Sequence, residues 1–277
     1  MAADVLALPE ERRSSWRSLQ YFVRRYVLRQ NLITADIAPT GLRVRAYSRD
    51  FLGRHLFKRG VYERDLTEFM LRHLPLRDDA VILDIGANLG WYSMLLGKRC
   101  PRARIHAFEP EPRNLALLRE NLQQNGIANV TVHAVAVADR AGSMQFFPYA
   151  EKNMGRHSLV AQAGCTPIHV QTVVLDEFLP TVGVAPHEVD LVKIDVEGYE
   201  LPALRGAQRL LAGHPVVVAE FAPKYMRRAG IDPESFLRLF RDAGFAAHQF
   251  SGGVLRPAAL EDAATSDRRL DLIWQKP

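Results

Sequence analysis

The chain has 277 residues, of which 48% are hydrophobic and 24% charged, and this composition excludes a mostly disordered chain, a collagen and a coiled coil. Residues 1–64 hold 13 basic and 6 acidic side chains, whereas residues 65–277 hold 23 basic and 25 acidic ones, so the main body is not a basic nucleic-acid surface. No apolar run approaches the roughly 18 residues that span a bilayer, and two cysteines are too few for a disulfide framework. Charged residues near the start interrupt any secretory signal. We therefore expect a cytoplasmic protein.

The N-terminal segment is predicted to contain an amphipathic helix at residues 14–29. Apolar side chains recur there at three- and four-residue spacing, and arginines supply much of the polar side. Such a helix packs on the main domain, joins a homodimer, or lies on the inner face of a membrane that carries anionic lipid. A strand at residues 42–47 and a helix at residues 61–74 follow. We expect residues 1–59 to form an extension that caps the site, makes a dimer or touches a membrane, ahead of one domain at residues 60–277.

From residue 80 onward, strands and helices alternate. The predicted strands are residues 81–85, 103–108, 130–137, 189–194, 216–221, 245–250 and 270–274, and the predicted helices are residues 91–99, 112–124, 201–211 and 235–243. Strands that are apolar nearly throughout and separated by helices indicate a parallel sheet covered on both faces. We therefore predict an α/β protein with a seven-stranded, doubly wound, mostly parallel sheet and an antiparallel edge hairpin. Residues 142–186 are the least regular part and are expected to be an insertion beside the site.

The first strand of this part leads into a turn of small residues, Asp84-Ile85-Gly86-Ala87-Asn88-Leu89-Gly90. The second strand ends at Glu109, 25 residues after Asp84. Gly86 and Gly90 allow the backbone to approach a ligand closely, and ligands lie at the carboxyl ends of such strands. A carboxylate at Glu109 can accept hydrogen bonds from both ribose hydroxyls of a nucleoside. These two features together predict a cofactor that contains adenosine.

The turn fits S-adenosylmethionine (SAM) better than a dinucleotide. Two of the three glycine positions of the dinucleotide fingerprint are occupied by Asn88 and Trp91, and the sequence has no phosphate-binding Gly-Lys-Ser/Thr loop. With SAM bound, we expect Asp84 to lie near its ammonium group and the turn to pass under its methionine part.

Further motifs along the chain resemble those of the FkbM-type methyltransferases. The turn at residues 84–90 looks like the first motif of that family. The other matching stretches are Gly60-Val61-Tyr62-Glu63, Glu109-Pro110, Asn153-Met154-Gly155, Ser158-Leu159, Lys193-Ile194-Asp195-Val196-Glu197-Gly198-Tyr199-Glu200 and Glu220. The resemblance runs from about residue 60 to residue 221, and its most specific part is the stretch at residues 193–200.

This resemblance implies a class I, SAM-dependent methyltransferase fold and O-methylation, usually of a hydroxyl on a sugar or natural product. It also implies that Tyr62 and Glu63 close over the methionine end of SAM. The N-terminal residues 1–59 and the C-terminal residues beyond 227 lie outside the resemblance. We expect substrate choice to reside there, and we expect the substrate to be a small-molecule or lipid-linked glycan.

Acidic residues at two further strand ends suggest how a hydroxyl is deprotonated. Asp195 ends the fourth strand, Glu197 lies just beyond it and Glu220 ends the next strand, so their carboxylates are expected to converge. Lys193 shares a face of the strand with Asp195. One hypothesis makes Asp195 or Glu197 the general base for a weakly acidic hydroxyl, with Asp195 also contacting SAM. In a variant, Asp195, Glu197 and Glu220 hold a divalent cation such as Mg²⁺.

His157, in the least regular segment, is a further candidate for a base or a substrate-binding group. Two other functions stay open. RNA ribose methylation agrees with the basic N-terminal segment, and a non-catalytic SAM-binding module needs only the turn at residues 84–90. The three converging carboxylates argue against an inactive module. The stretch after the fourth strand lacks the Pro-Pro-aromatic sequence of enzymes that methylate base amines, so we expect no DNA partner.

Overall fold

The computed structural model describes residues 15–38, 40–147 and 166–277 of the chain. The strands are β1 Leu32–Ile37, β2 Leu42–Tyr47, β3 Val81–Ile85, β4 Arg104–Phe108, β5 Val130–His133, β6 Ala136–Val137, β7 Gly142–Phe146, β8 Ile168–Val173, β9 Val189–Ile194, β10 Val216–Phe221, β11 Ala246–Ser251, β12 Val254–Pro257 and β13 Leu270–Gln275. The helices are α1 Ser15–Phe22, α2 Phe51–Arg59, α3 Arg64–Glu68, α4 Trp91–Arg99, α5 Pro112–Gln124, α6 Leu175–Thr181, α7 Glu200–Arg205, α8 Gln208–Ala212, α9 Pro223–Arg228 and α10 Pro233–Asp242.

An eight-stranded sheet forms the centre of the described structure, in the order β12-β11-β13-β10-β9-β3-β4-β5. The strands from β10 to β5 are parallel, and β13 runs antiparallel to both β10 and β11. This is the predicted doubly wound α/β sheet with an antiparallel edge, so the predicted class I methyltransferase fold class is confirmed. The sheet has one strand more than the predicted seven, because Gly252 and Gly253 take positive φ and turn the chain back from β11 into β12.

The order of the strands reverses between β3 and β9. From β3 the chain proceeds through β4 to β5 on one side, and it returns to β9 and β10 on the other. Every residue of β3 is buried, as expected for a central strand with helices on both faces. In sheets of this kind, ligands bind in the crevice at the carboxyl ends of the two strands where the order reverses.

Two buried apolar clusters cover the two faces of the sheet. One cluster joins the N-terminal segment to α4 and α5, and the other joins the sheet to α6 through α10. Leu56, Phe69 and Met70, which all precede β3, are at most 1% exposed in the first cluster. The residues ahead of β3, on both sides of residue 60, therefore cover one sheet face together with α4 and α5. The domain boundary at residue 60 stays a prediction; Gly60 is there the left-handed C-cap of α2, with φ 78°.

The N-terminal segment contains two elements that the sequence analysis does not predict, β1 and α2. β1 alternates between buried and less buried residues and pairs with β2 in a separate two-stranded sheet. α2 is capped by Asp50, which accepts a hydrogen bond from the backbone N–H of Gly53 at 3.0 Å. α1 ends at Phe22 and continues as one wide π-helical turn, Val23–Val27. Within the described ranges, no helix combines the length and the apolar character needed to cross a bilayer.

Three other predicted elements have different bounds in the structure. The helix predicted at residues 61–74 begins only at Arg64, because Glu63 takes a left-handed conformation with φ 43°. The strand predicted at residues 130–137 divides into β5 in the main sheet and β6 in a three-stranded sheet with β7 and β8. The helix predicted at residues 201–211 divides into α7 and α8. Regular structure also occupies the described part of residues 142–186, which contains β7, β8 and α6.

Candidate active site

A cavity of about 260 Å³ opens at the carboxyl ends of β3, β4 and β9. The residues singled out from the sequence that line it are Tyr62, Gly86, Ala87, Asn88, Glu109, Asp195 and Glu197. Those among the described residues that do not line it are Glu63, Asp84, Gly90 and Glu220, of which Glu63 and Glu220 line a second cavity beside it. The motif residues therefore meet at the point where the strand order reverses.

The turn after β3 is held in place by residues that follow β4. The backbone N–H of Gly86 donates to the Phe108 carbonyl at 3.0 Å. The Glu109 carboxylate accepts from the backbone N–H of Asn88 at 2.8 Å and from that of Glu111 at 2.9 Å. Burial raises the pKa of Glu109 to about 7, against the effect of these two hydrogen bonds. Each carboxylate oxygen still has a lone pair for a ligand in the cavity that Glu109 lines.

Contacts within the protein require glycine at residues 86 and 90. Gly86 has φ 78°, and a Cβ atom there would lie 2.0 Å from the Asp195 carbonyl oxygen. Gly90 has φ 92°, and a Cβ atom there would lie 2.5 Å from Cδ1 of Leu118. The close approach expected at these glycines is therefore to the protein's own chain. Asn88, between them, is also left-handed, with φ 54°.

Asp84 lies below the cavity, where it is 1% exposed. Its Oδ2 accepts from the Ser93 hydroxyl at 2.6 Å, and its Oδ1 is buried without a hydrogen-bond partner. Burial raises the pKa of Asp84, and the charge of Lys193, its neighbour in the β3–β9 register, offsets part of that rise. Its contact with the ammonium group of SAM stays a prediction.

Lys193 and Asp195 lie on the same face of the chain at the end of β9, as the alternation predicts. The Lys193 Nζ is 3.5 Å from the Asp195 Oδ2. Burial works against the charge of Lys193, but Asp195, Asp84 and Glu63 outweigh it and raise the pKa of Lys193. The Asp195 side chain is 24% exposed, and its Oδ1 is buried without a hydrogen-bond partner. Asp195 thus lines the cavity with one oxygen paired to Lys193 and with a second, buried oxygen that has no partner.

Tyr62 and Glu63 lie over this ion pair. The Tyr92 hydroxyl donates to the Glu63 Oε2 at 2.6 Å, and the Lys193 Nζ lies 5.2 Å from the centre of the Tyr92 ring. Burial and the charge of Asp195 raise the pKa of Glu63. Burial also raises the pKa of Tyr62, so its hydroxyl keeps its proton and can donate a hydrogen bond. The predicted closure of both residues over SAM stays a prediction.

Asp195, Glu197 and Glu220 converge as the sequence predicts. One carboxylate oxygen of each residue lies within 4.8 Å of one oxygen of each of the other two. Arg269 forms an ion pair with Glu220. Burial opposes the charge of Arg269, but Glu197 and Asp195 raise its pKa. The chain therefore supplies its own cation at the cluster, and the role of the three carboxylates as ligands of Mg²⁺ stays a prediction.

The loop that follows β9 is held by a buried carboxylate. Glu197 and Gly198 take positive φ angles of 53° and 99°. Glu200, the first residue of α7, accepts from the backbone N–H groups of Val196 and Gly198, each at 3.0 Å. Glu200 is fully buried and lines neither cavity, so it positions the loop from the helix N-terminus.

Arg269 and Asp271 are site residues that the sequence analysis misses. The register of β10 and β13 places Asp271 opposite Glu220. Two neighbouring strands that run antiparallel place the start of one beside the end of the other. The start of β13 therefore lies at the same edge of the sheet as the end of β10. Applying that rule to the predicted late strand would have found both residues. Burial, then the charges of Glu63 and Asp195, raise the pKa of Asp271.

The other predicted site residue, His157, lies outside the described residues. The motif stretches at residues 153–155 and 158–159 lie outside them as well. Their roles stay predictions.

Negative charge dominates the floor of the two cavities. The cations are Lys193, Arg269 and Arg64, and the more numerous carboxylates around them are those of Glu63, Asp84, Asp195, Glu197, Glu220 and Asp271. A surplus of carboxylates favours a cationic ligand. SAM carries both an ammonium and a sulfonium group, and Asp195, which lines the cavity, has an oxygen without a hydrogen-bond partner that can accept a hydrogen bond. The residues present therefore fit SAM.

The FkbM methyltransferase domain model matches residues 84–246, which is more than half of the chain. Hexuronic acid methyltransferase AglP of Haloferax volcanii is 27% identical over 181 residues, 65% of this chain and 69% of that one. 2-O-methyltransferase NoeI of Sinorhizobium fredii is 27% identical over 195 residues, 64% of this chain and 77% of that one. 31-O-demethyl-FK506 methyltransferase FkbM of Streptomyces tacrolimicus is 30% identical over 195 residues, 60% of this chain and 71% of that one. The chain spans 60% of the length of one further methyltransferase relative.

Proposed function

Because the chain belongs to the FkbM methyltransferase family of SAM-dependent enzymes, we propose that it methylates a hydroxyl of a sugar or of a glycosylated natural product. The names of two relatives support a sugar-like substrate, since one is a hexuronic acid methyltransferase and another a 2-O-methyltransferase. The carboxylate-rich edge of the sheet supports a hydroxyl as the methylated group, because a hydroxyl must lose a proton.

This proposal rests on the different environments of the two carboxylate oxygens of Asp195. One of its oxygens is paired with Lys193, whereas Oδ1 is buried and has no hydrogen-bond partner. An unpaired buried oxygen costs free energy unless a ligand satisfies it. A substrate hydroxyl is a suitable donor to Oδ1. Asp195 is therefore favoured over Glu197 as the general base.

The chain's own residues then have separate tasks. Glu109 would hold the ribose of SAM, and the turn after β3, with Asn88, would pass under its methionine part. When bound, SAM supplies a methyl group on a positively charged sulfur, which a hydroxyl oxygen can attack. Asp195 would accept the hydroxyl proton while the oxygen–methyl bond forms and the sulfur–methyl bond breaks, with S-adenosylhomocysteine as the leaving group, and Lys193 would fix the orientation of Asp195.

We propose that this deprotonation needs no divalent cation. The Arg269 guanidinium already pairs with Glu220 and lies close enough to Glu197 and Asp195 for their charges to raise its pKa. A metal ion at the same three carboxylates would be placed next to that positive charge. Coulomb repulsion would weaken its binding.

A turnover assay tests the proposal. S-adenosylhomocysteine release is measured with SAM and a panel of methyl glycosides, with an RNA oligonucleotide and with no substrate. We expect release above the background with at least one glycoside, and we expect EDTA to leave the rate unchanged within about twofold. Release with RNA alone, or SAM binding without release on any glycoside, would contradict a sugar substrate.

A further inference from the structure

A second cavity, of about 400 Å³, lies beside the first. It is lined by Phe51, His55, Val61, Tyr62, Glu63, Arg64, Glu220, Arg269 and Asp271. Phe51, Tyr62 and Arg269 line both cavities, so these three side chains form the shared boundary. The Glu220 carboxylate in this second cavity lies within 4.8 Å of that of Asp195. A molecule held in the second cavity is therefore within reach of the proposed base.

Three aromatic rings form one wall of the second cavity. The ring centres of Phe51 and Tyr62 are 6.4 Å apart, and that of His55 lies 5.8 Å from each of them. Phe51 is 42% exposed, although it is a large apolar side chain. An exposed aromatic residue at the mouth of a polar cavity is typical of a binding groove. Such a ring can cover the apolar C–H face of a sugar.

Carboxylates form the opposite part of the lining. Asp271 and Glu220 project from neighbouring positions on β13 and β10, and Glu63 lies next to them. Arg269 is paired with Glu220, and the three carboxylates of this lining outnumber its two arginines, Arg64 and Arg269. Carboxylates accept hydrogen bonds from hydroxyl groups and repel other carboxylates. The lining therefore suits a ring with many hydroxyls and without an acidic group.

We propose that the second cavity is the substrate subsite and that it selects a neutral sugar ring over a uronic acid. The inference rests on the proposed methyl transfer to a hydroxyl. The sugar ring lies against Phe51 and Tyr62, its hydroxyls donate to Asp271 and Glu63, and one hydroxyl reaches Asp195. Two of the contacting segments, α2 and the start of β13, lie outside the stretch that binds SAM. Substrate choice is thus separated from the cofactor motif along the chain.

Ligand-detected NMR and calorimetry test this subsite without relying on turnover. The full chain is saturated with S-adenosylhomocysteine and titrated with the methyl glycosides of glucose, mannose, galactose and glucuronic acid at about pH 8, above the pKa of about 7 of Asp271. His55→Ala and Asp271→Asn alter only the second cavity, and Glu109→Gln alters only the first. We expect the neutral glycosides to bind at least about tenfold more tightly than the uronate.

The variants should separate the two cavities. His55→Ala and Asp271→Asn should weaken glycoside binding by about tenfold and leave SAM affinity within about twofold, and Glu109→Gln should do the reverse. Equal or tighter binding of the uronate, no glycoside binding at all, or variants that weaken only SAM would overturn the subsite. Glycoside binding that depends on His55 and Asp271 without methyl transfer would support the subsite and refute the proposed function.

A different observation concerns the first helical segment, at residues 15–29. Its exposed apolar side chains are Trp16, Leu19, Phe22, Val23, Tyr26, Val27 and Leu28, between 37% and 65% exposed. Only Tyr21 of α1 is buried. The same segment carries four arginines and no acidic residue. The apolar surface is therefore flanked by a segment of net positive charge.

We infer that this segment docks on an anionic membrane surface. Aromatic and aliphatic side chains with arginines beside them are the composition of helices that lie in the lipid headgroup region. Pairing with a second copy would bring both sets of arginines together with no acidic residue in either segment, which is unfavourable. Anionic lipid supplies the missing negative charge.

Vesicle sedimentation tests the docking surface. We expect the full chain to sediment with phosphatidylcholine vesicles that contain phosphatidylglycerol, to stay free with phosphatidylcholine alone, and to be released by raised salt. The exposed pair Trp16→Ser and Phe22→Ser should abolish binding, whereas Val254→Ser, at an exposed apolar residue elsewhere, should not. No binding to anionic vesicles would overturn the inference. So would self-association that the pair abolishes while vesicle binding stays unchanged.

Discussion

The two cavities are built in different ways, although they share a boundary. The first is formed mainly by turns that follow strands, where backbone N–H groups, left-handed residues and a buried carboxylate fix the shape. The second is assembled from α2, the residues around Glu63, the end of β10 and the start of β13, which are far apart in sequence. A cofactor that is the same in every enzyme suits a rigid, local motif. A variable substrate suits side chains from segments that can change independently.

The largest effect should come from Asp195, which lines the first cavity within 4.8 Å of the Glu220 carboxylate of the second. Asp195→Asn removes the proposed base but keeps the shape of the side chain. We expect turnover to fall by about 10³-fold while SAM affinity changes little. Asp36→Asn, at an exposed position remote from the site, serves as the matched control in the same assay. Turnover within about tenfold of that of the wild type would contradict the role of Asp195 as the base.

The rigid build of the first cavity predicts an asymmetry between two glycines. Gly86→Ala introduces both positive-φ strain and a clash with the Asp195 carbonyl, whereas Gly126→Ala introduces the strain alone, with no atom within 4 Å. We expect Gly126→Ala to lower the free energy of unfolding by about 1 kcal/mol and Gly86→Ala by about 3 kcal/mol or more. Urea unfolding measures both. Equal losses would show that the contact between residue 86 and the Asp195 carbonyl does not require glycine.

The buried carboxylate of the first cavity predicts a pH effect on SAM. In the free protein, burial raises the pKa of Glu109 to about 7, so a fraction is protonated at and below neutral pH. Ribose hydroxyls donate better to the ionised form, so SAM binding should strengthen as the pH rises from about 6 to about 8. We expect a gain of up to about tenfold by calorimetry. Glu109→Gln should flatten this part of the profile, and an unchanged slope would assign it to another group.

The smallest effect should be that of metal removal. Arg269 supplies a cation where the two cavities meet, so EDTA should leave turnover within about twofold. The variant Arg269→Met takes away that charge, and we expect it to bind Mn²⁺ more tightly than the wild type does. Loss of wild-type activity in EDTA, restored by Mg²⁺, would make Asp195, Glu197 and Glu220 metal ligands instead.

The same contrast explains what the sequence predicts and what it does not. The central strands and the turn at residues 84–90 are predictable because their signals are local: apolar runs, small residues and a carboxylate after a strand. Arg269 and Asp271 are not evident locally, since their place in the site follows from the antiparallel entry of β13 beside β10. For Gly86 the sequence predicts the close approach of a ligand, whereas the approach that only the fold reveals is that of the Asp195 carbonyl, just after β9.

The most direct test of the central claim follows the methyl group itself. The enzyme is incubated with SAM labelled with ¹³C in its methyl group and with a neutral methyl glycoside, and the product is examined by NMR. The account predicts that the label appears as an O-methyl ether on a ring carbon of the glycoside, with one S-adenosylhomocysteine formed for each ether. Label that stays on SAM, or appears on nitrogen, carbon or RNA, would contradict it.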